Sequence, residues 1–294
     1  MSDTGMSAGK MCDRLLKEFA DGNELDYLQS GYRKFLQGQH PGQLDLIHHW
    51  GFLRPISQLS LRESVTGTAT GAYADSEITV TATTAIFADG DLGEYLTVDG
   101  MGTFGPITTV TSTTVVVYAG VAADAFTTAK TIWTGGVYDL PSDFGGILDR
   151  QVYVYDSSTT PNAFTLVSPE DIFAAWSNDD FSGDPYMFAV TPNTFTSTTG
   201  QRWALLCHKR PDAARVMRYC YTSNPDMPTH APTCYLLGGT YHDETILAMA
   251  MAAGELSTRK EQGAWAAEAQ AMMIGSIRRD EELFGNVSET DSFQ

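Results

Sequence analysis

The sequence predicts an α+β fold: a helical body of N-terminal helices and long C-terminal helices, carrying an inserted small antiparallel β-barrel or sandwich and a β-hairpin. Three observations predict it. Apolar residues recur at helical spacing near both ends of the chain. From Ser57 to Val137, short alternating runs rich in Thr are punctuated by Gly, as in small antiparallel strands. The stretch Tyr138-Asp139-Leu140-Pro141-Ser142-Asp143-Phe144 reads as a joint, because Pro141 cannot continue a ladder, holds Leu140 extended, and is followed by two turn-forming residues. The expected organisation is an N-terminal helical segment (1–56), an inserted β-module (57–137), a mixed segment completing the helical body (138–284) and a flexible C-terminal tail (285–294).

Element by element, Met11, Leu15, Leu16 and Phe19 form one helical stripe, stopped by Asp21-Gly22-Asn23. Leu25, Leu28, Tyr32, Phe35 and Leu36 form a second. The apolar run Leu44 to Leu53, with Trp50 and Phe52, is a short helix or a strap. Strands are expected at 64–70, 77–83, 95–98, 107–111, 114–118 and 131–138. Beyond the joint, Val152 to Tyr155 and Phe164 to Val167 read as strands. Ser168-Pro169-Glu170-Asp171 is a helix start, with Ser at the N-cap, Pro at the first position and acids in the first turn. Three more strands, 186–190, 203–208 and 216–221, follow, the last two expected as a hairpin around Pro211-Asp212. From about Thr233 the pattern is helical to Phe284, interrupted at Gly238-Gly239, with Ser257-Thr258 as a cap between two long helices and Gly285 as a C-cap.

Apolar residues are 43% of the 294 and charged residues 18%, which excludes wholesale disorder. The formal net charge is −18, from 36 acidic and 18 basic residues. Such a chain does not grip nucleic acid by neutralising phosphates, though DNA can slide past its surface. Cys12, Cys207, Cys220 and Cys234 show no paired spacing, which fits reduced thiols in a protein made in a cytoplasm. No signal peptide and no transmembrane helix is expected.

The chemistry-bearing motifs are thin. Gly100-Met101-Gly102-Thr103-Phe104-Gly105 matches GxGxxG, but a dinucleotide loop needs a helix after it, and Pro106 with Ile107 to Val110 is a strand. A glycine-rich β-turn is the expected reading, and no cofactor follows. Asp89, Asp91 and Glu94 share a loop that lacks the EF-hand pattern, and a solvated turn is expected rather than a cation site. The six histidines form no HxxxH or HExxH pair, and His242-Asp243-Glu244 reads as first-turn helix chemistry. There is no GxSxG elbow and no phosphate-binding loop. No catalytic, cofactor or metal residue is assigned, and no enzyme is expected.

The layout as a whole resembles the head-to-tail adaptor (connector) proteins of tailed bacteriophages, including the tail tubular A-like group. Four segments carry the resemblance: the N-terminal helices Met11–Leu36; the β-module running into the joint at 138–144; Leu166-Val167-Ser168-Pro169-Glu170-Asp171-Ile172; and the hairpin around Pro211-Asp212 with the terminal helices that follow. The resemblance implies a structural protein of the virion's head–tail junction, synthesised in the host cytoplasm. Such proteins form a ring, most often of twelve copies, between the portal protein and the tail or nozzle proteins. DNA passes through the middle during ejection, without sequence-specific binding, and no membrane is involved. The C-terminal segment commonly reaches towards the portal, which makes Phe284, Val287 and Phe293 the candidate partner-interface residues; the alternative for this tail is a frayed terminus. The alternative function is another tail structural protein, of tail-completion or baseplate type, whose β-module binds a partner or host surface.

Overall fold

The computed structural model describes residues 5–38, 47–155, 162–177, 182–196, 200–261 and 263–285. The chain divides into two compact units, one formed by 1–55 with 221–294 and the other by 56–220.

Among the described residues there are five α-helices: α1 (Ala8–Phe19), α2 (Glu24–Leu36), α3 (Pro169–Trp176), α4 (Asp243–Arg259) and α5 (Ala264–Phe284). All but α3 belong to the first unit. The apolar stripes of α1 and α2 meet Ile246, Leu247, Ala250 and Met251 of α4 and Met273 and Ile277 of α5 in one core. Trp50, fully buried, closes this core from the segment after α2, its indole N–H donating to the Phe35 carbonyl at 2.8 Å. Gly31 of α2 lies against the backbone of α4, where a β-carbon would collide with Met249 and Ala250. Between α4 and α5 the cap is not Ser257-Thr258. Helix α4 runs on to Arg259, and the buried Glu255 carboxylate accepts the N–H groups of Gly263 and Trp265 at 3.0 and 3.2 Å, satisfying the unpaired donors that open α5.

The second unit holds strands β1 (Ile56–Leu61), β2 (Val65–Ala74), β3 (Glu77–Ala82), β4 (Leu96–Val98), β5 (Gly102–Phe104), β6 (Ile107–Ser112), β7 (Val115–Ala119), β8 (Phe126–Thr134), β9 (Val137–Asp139), β10 (Phe144–Tyr155), β11 (Asn162–Leu166), β12 (Ser182–Gly183), β13 (Met187–Thr196), β14 (Gly200–His208), β15 (Arg210–Pro211) and β16 (Arg215–Ser223). One antiparallel sheet has the order β5-β4-β8-β2-β3-β7-β6. Its end strands, β5 and β6, are consecutive in sequence, so the sheet curls. Its ends meet where Ile107 N–H donates to the Glu94 carbonyl (2.8 Å) and Gly93 N–H to the Ile107 carbonyl (2.9 Å). Curling leaves little open edge and buries Ile78, Val80, Leu96, Val98, Val116, Tyr118 and Ile132 inside. A second sheet has the order β1-β16-β10-β11-β13-β14-β9, in which β11 and β13 run parallel.

The expected fold class does not hold. The chain is mostly β, about 37% strand with two seven-stranded sheets, rather than a helical body with a small β insertion. The physical reason lies after residue 138. The joint at 138–144 is a tight turn, with Phe144 N–H bonded to the Pro141 carbonyl at 3.0 Å, and a long strand starts straight after it. Strands β10, β13 and β14 extend far past their apolar cores into polar sequence, so periodicity shows only part of each. The expected hairpin around Pro211-Asp212 is absent as well. Strand β14 pairs with β13 and β9, whereas β16 pairs with β1, far across the same sheet. The interruption expected at Gly238-Gly239 is there, with φ of 114° and 76°, but the residues from Thr233 up to it form no helix, and α4 begins only at Asp243.

The α2–α4 contact gives a direct check. Gly31→Ala is expected to lower the unfolding free energy by about 1–3 kcal/mol through overpacking, read from urea denaturation midpoints. A wild-type midpoint would show that the two backbones do not approach as described.

Candidate functional site

Of the sequence-predicted interface residues, Phe284 is described; Val287 and Phe293 lie outside the described residues. Phe284 ends α5, half exposed beside the equally exposed Leu283. Its ring rests on Gly51, where a β-carbon would overlap it. One turn earlier, the buried Asp280 carboxylate accepts the Gly51 N–H at 2.8 Å and pairs with His48 Nε2 at 2.8 Å. Polar bonds thus fix the last turn of α5 onto the 48–51 segment, and two large apolar side chains remain on the outside.

The GxGxxG stretch forms the β4–β5 turn and β5. Gly100, Gly102 and Gly105 have φ of 67°, 111° and 126°, conformations that require glycine here, and β6 follows rather than a helix. Among the described residues no group of three or more His, Cys, Asp or Glu side chains could hold a metal ion. His242 is buried against Phe35, Trp50 and Phe52, and burial holds its imidazole below the ordinary value despite Asp280 nearby.

Of the three loop acids expected to be solvated, Asp89 is exposed and the other two are not. Asp91 and Glu94 are buried, and both pair with Arg62. Asp91 also accepts the Ala88 N–H (2.7 Å), and the second Glu94 oxygen accepts the Val137 N–H (3.1 Å). Arg210, with no exposed surface, shares the same interior. It donates to the carbonyls of Trp133 (3.0 Å) and Tyr95 (3.3 Å) and to Thr97 Oγ1 (2.9 Å), and stacks 4.5 Å from the Trp176 ring. Burial pushes Glu94 up to about 7 against the pull of Arg62, the Val137 N–H and Arg210, and brings Arg210 down to about 10. Proximity in sequence flagged the acids. Their burial is matched chiefly by Arg62, outside their own loop, which no local pattern announces.

The concave feature of the helical unit was not legible either. Gly5 and Met6, ahead of α1, meet Tyr235, Leu236, Gly239, Thr240, Tyr241 and Asp243 around a groove of about 390 Å³. Tyr235 and Tyr241 are more than half exposed on its walls. Asp243, the first residue of α4, accepts the Met6 N–H and is 6% exposed. Burial holds its carboxyl above the ordinary carboxylate value, the Met6 N–H opposes this, and Glu244 adds to it. Lys10 and Arg14 stand on the adjoining rim, Arg14 paired with Glu244 at 3.1 Å.

Glu94 makes stability depend on pH with a definite sign. Between its ordinary 4.5 and about 7, the folded chain keeps a proton that the unfolded chain has released. The contribution is therefore complete below 4.5 and is lost as pH rises through about 7. The stability of the wild type minus that of Glu94→Gln should fall by roughly 3 kcal/mol across this window; a flat difference in denaturant titrations refutes the assignment. No protein-family model matches the chain, and no curated protein matches it.

Proposed function

We propose that the chain is a structural virion protein, forming a ring adaptor between the portal protein and the tail or nozzle of a tailed bacteriophage and leaving a central channel for DNA. The observation that carries this reading is the Leu283–Phe284 pair, left half exposed on the last turn of α5 while Asp280 anchors that turn from inside. Large apolar side chains held out on a fixed support are what a docking contact uses, and burial against a partner is their stabilising outcome. The acidic surface supports the same reading. In the stretch 57–137 both basic side chains are engaged close by, Arg62 with Asp91 and Glu94 and Lys130 with the Asp99 carbonyl. Glu63, Asp75, Glu77, Asp89 and Asp99 stay exposed there. A channel lined in part by such acids repels phosphate, so DNA moves without being held. Contacts between unlike faces of successive copies close a ring, with twelve copies expected.

A second reading, a tail-completion or baseplate-type protein whose β-module binds a partner or host surface, is favoured by one feature. The curled sheet aligns Thr70 with Thr81, Thr81 with Val115 and Thr79 with Val117, an uncharged patch on an acidic chain. Light-scattering mass separates the two. The adaptor reading expects one copy per portal subunit when the chain is mixed with the portal ring of the same particle, and Leu283→Asp to weaken that complex by about tenfold or more. No association, with a discrete small oligomer alone, sinks the adaptor reading and leaves the distal one.

A further inference from the structure

We propose that the groove at the start of α4 is a receptor for a basic side chain, an arginine or lysine presented by an extended segment of a neighbouring protein chain. The inference goes beyond the adaptor reading and does not rest on it.

Its basis is a comparison among buried acids. Five carboxylates are buried among the described residues: Asp91, Glu94, Asp243, Glu255 and Asp280. Four have a basic partner: Arg62 for Asp91 and Glu94, Arg259 for Glu255 at 3.1 Å, and His48 for Asp280. Among the described residues Asp243 has one backbone N–H, from Met6, and no basic side chain paired with it. The helix start behind it favours an anion, but a carboxylate taken out of water also calls for a cation within reach. Here the carboxylate lines an open groove.

The walls suit the same occupant. Tyr235 and Tyr241 present aromatic surface, which attracts guanidinium and ammonium groups and packs their methylene stems. Arg279 of α5 already lies 4.8 Å from the Tyr241 ring centre, which steadies that wall. At Gly239 a β-carbon would meet nothing within 4 Å, so the groove is open to an approaching backbone there. A volume of about 390 Å³ takes one long side chain and its flanking peptide units. A bare metal ion is a poor fit, because one carboxylate and the Thr240 hydroxyl do not complete a coordination shell. Lys10, exposed on the rim, opposes any cation that enters, the basic side chain included.

The test is a titration of the full chain with N-acetyl-Ala-Arg-Ala-amide and with its citrulline counterpart, which keeps the shape and removes the charge. Amide 1H–15N shifts are the readout. Saturable shifts at Met6, Gly239 and Thr240 are expected with the arginine peptide, weakening as salt is added, and none with citrulline at the same concentration. Asp243→Asn should weaken binding by about tenfold or more. Tyr241→Ala should weaken it by about threefold to tenfold, and Lys10→Met should strengthen it. Equal shifts from both peptides, no shifts from either, or unchanged affinity in Asp243→Asn overturn the proposal. Should Asp243→Asn fail to fold, Tyr241→Ala decides, because that ring is exposed and outside the core; unchanged affinity there overturns it as well.

Discussion

The strand-rich unit depends on one buried cation. Arg210 is a two-residue step from β14, and its guanidinium reaches β8 at Trp133, β4 at Thr97 and the approach to β4 at Tyr95, with Trp176 of α3 stacked on it. Those contacts help tie the curled sheet to the layer of α3 and β14, beside the Tyr95 ring packed on Phe173 and Trp176. Taking an arginine out of water is costly unless most of its donors are matched and an acid is near; here the Nε goes without a hydrogen-bond partner. Three acceptors serve the terminal nitrogens, and Glu94 supplies the charge. Trp176 is fixed by the same chemistry, its indole N–H donating to the Cys207 carbonyl at 3.1 Å. Lysine has no planar fork and cannot reach three acceptors while stacking on a ring.

From this follows the way the unit treats its acids. Glu94 pairs with Arg62 and feels Arg210, so two cations and two acids, with Asp91, balance one another, Arg62 reaching the surface and the other three buried. The helical unit uses other means to the same end. Glu255 caps α5 and pairs with Arg259, while Asp280 takes His48 and a backbone donor. Where each buried charge has a partner, the interior specifies one arrangement of its elements, because a shifted register would strand a charge. Asp243 departs from this pattern at an accessible surface, and a departure of that kind marks a place where something outside the chain completes the balance.

What was legible in the sequence was local. Ser168, Pro169 and Asp171 announce α3, and the capping box forms as its chemistry requires, with Ser168 Oγ accepting the Asp171 N–H at 3.2 Å. The stripes of α1 and α2, and the alternation of β3 and β7, are read because burial repeats at the period of the element. Strand β5 was missed, since Gly102-Thr103-Phe104 is too short and too glycine-rich to show a period. Pairing was the larger loss. Nothing in Trp203 to Tyr221 states that β14 and β16 seek different neighbours, because that preference lives in β9, β13 and β1, the last more than 150 residues away. The groove escaped for the same reason. Tyr235, Tyr241 and Asp243 acquire meaning only when Gly5 and Met6 arrive beside them.

The register of β1 on β16 explains how the two ends of the chain can make one core at all. Ile56 pairs with Cys220, and just outside them Tyr221 N–H bonds to the Pro55 carbonyl at 3.3 Å. The chain thus enters and leaves the strand-rich unit on adjacent residues. That closes a loop of more than 160 residues at one point, and the closure cost grows only logarithmically with the loop's length. Once it is met, α1 and α2 find α4 and α5 as though the intervening strands were a short turn. Strands beyond that crossing are then constrained by their own sheets, by α3 and by Arg210. The Gly5–Asp243 groove and the Phe284 surface are built from helical-unit residues alone, so their geometry is set independently of the threonine-rich sheet.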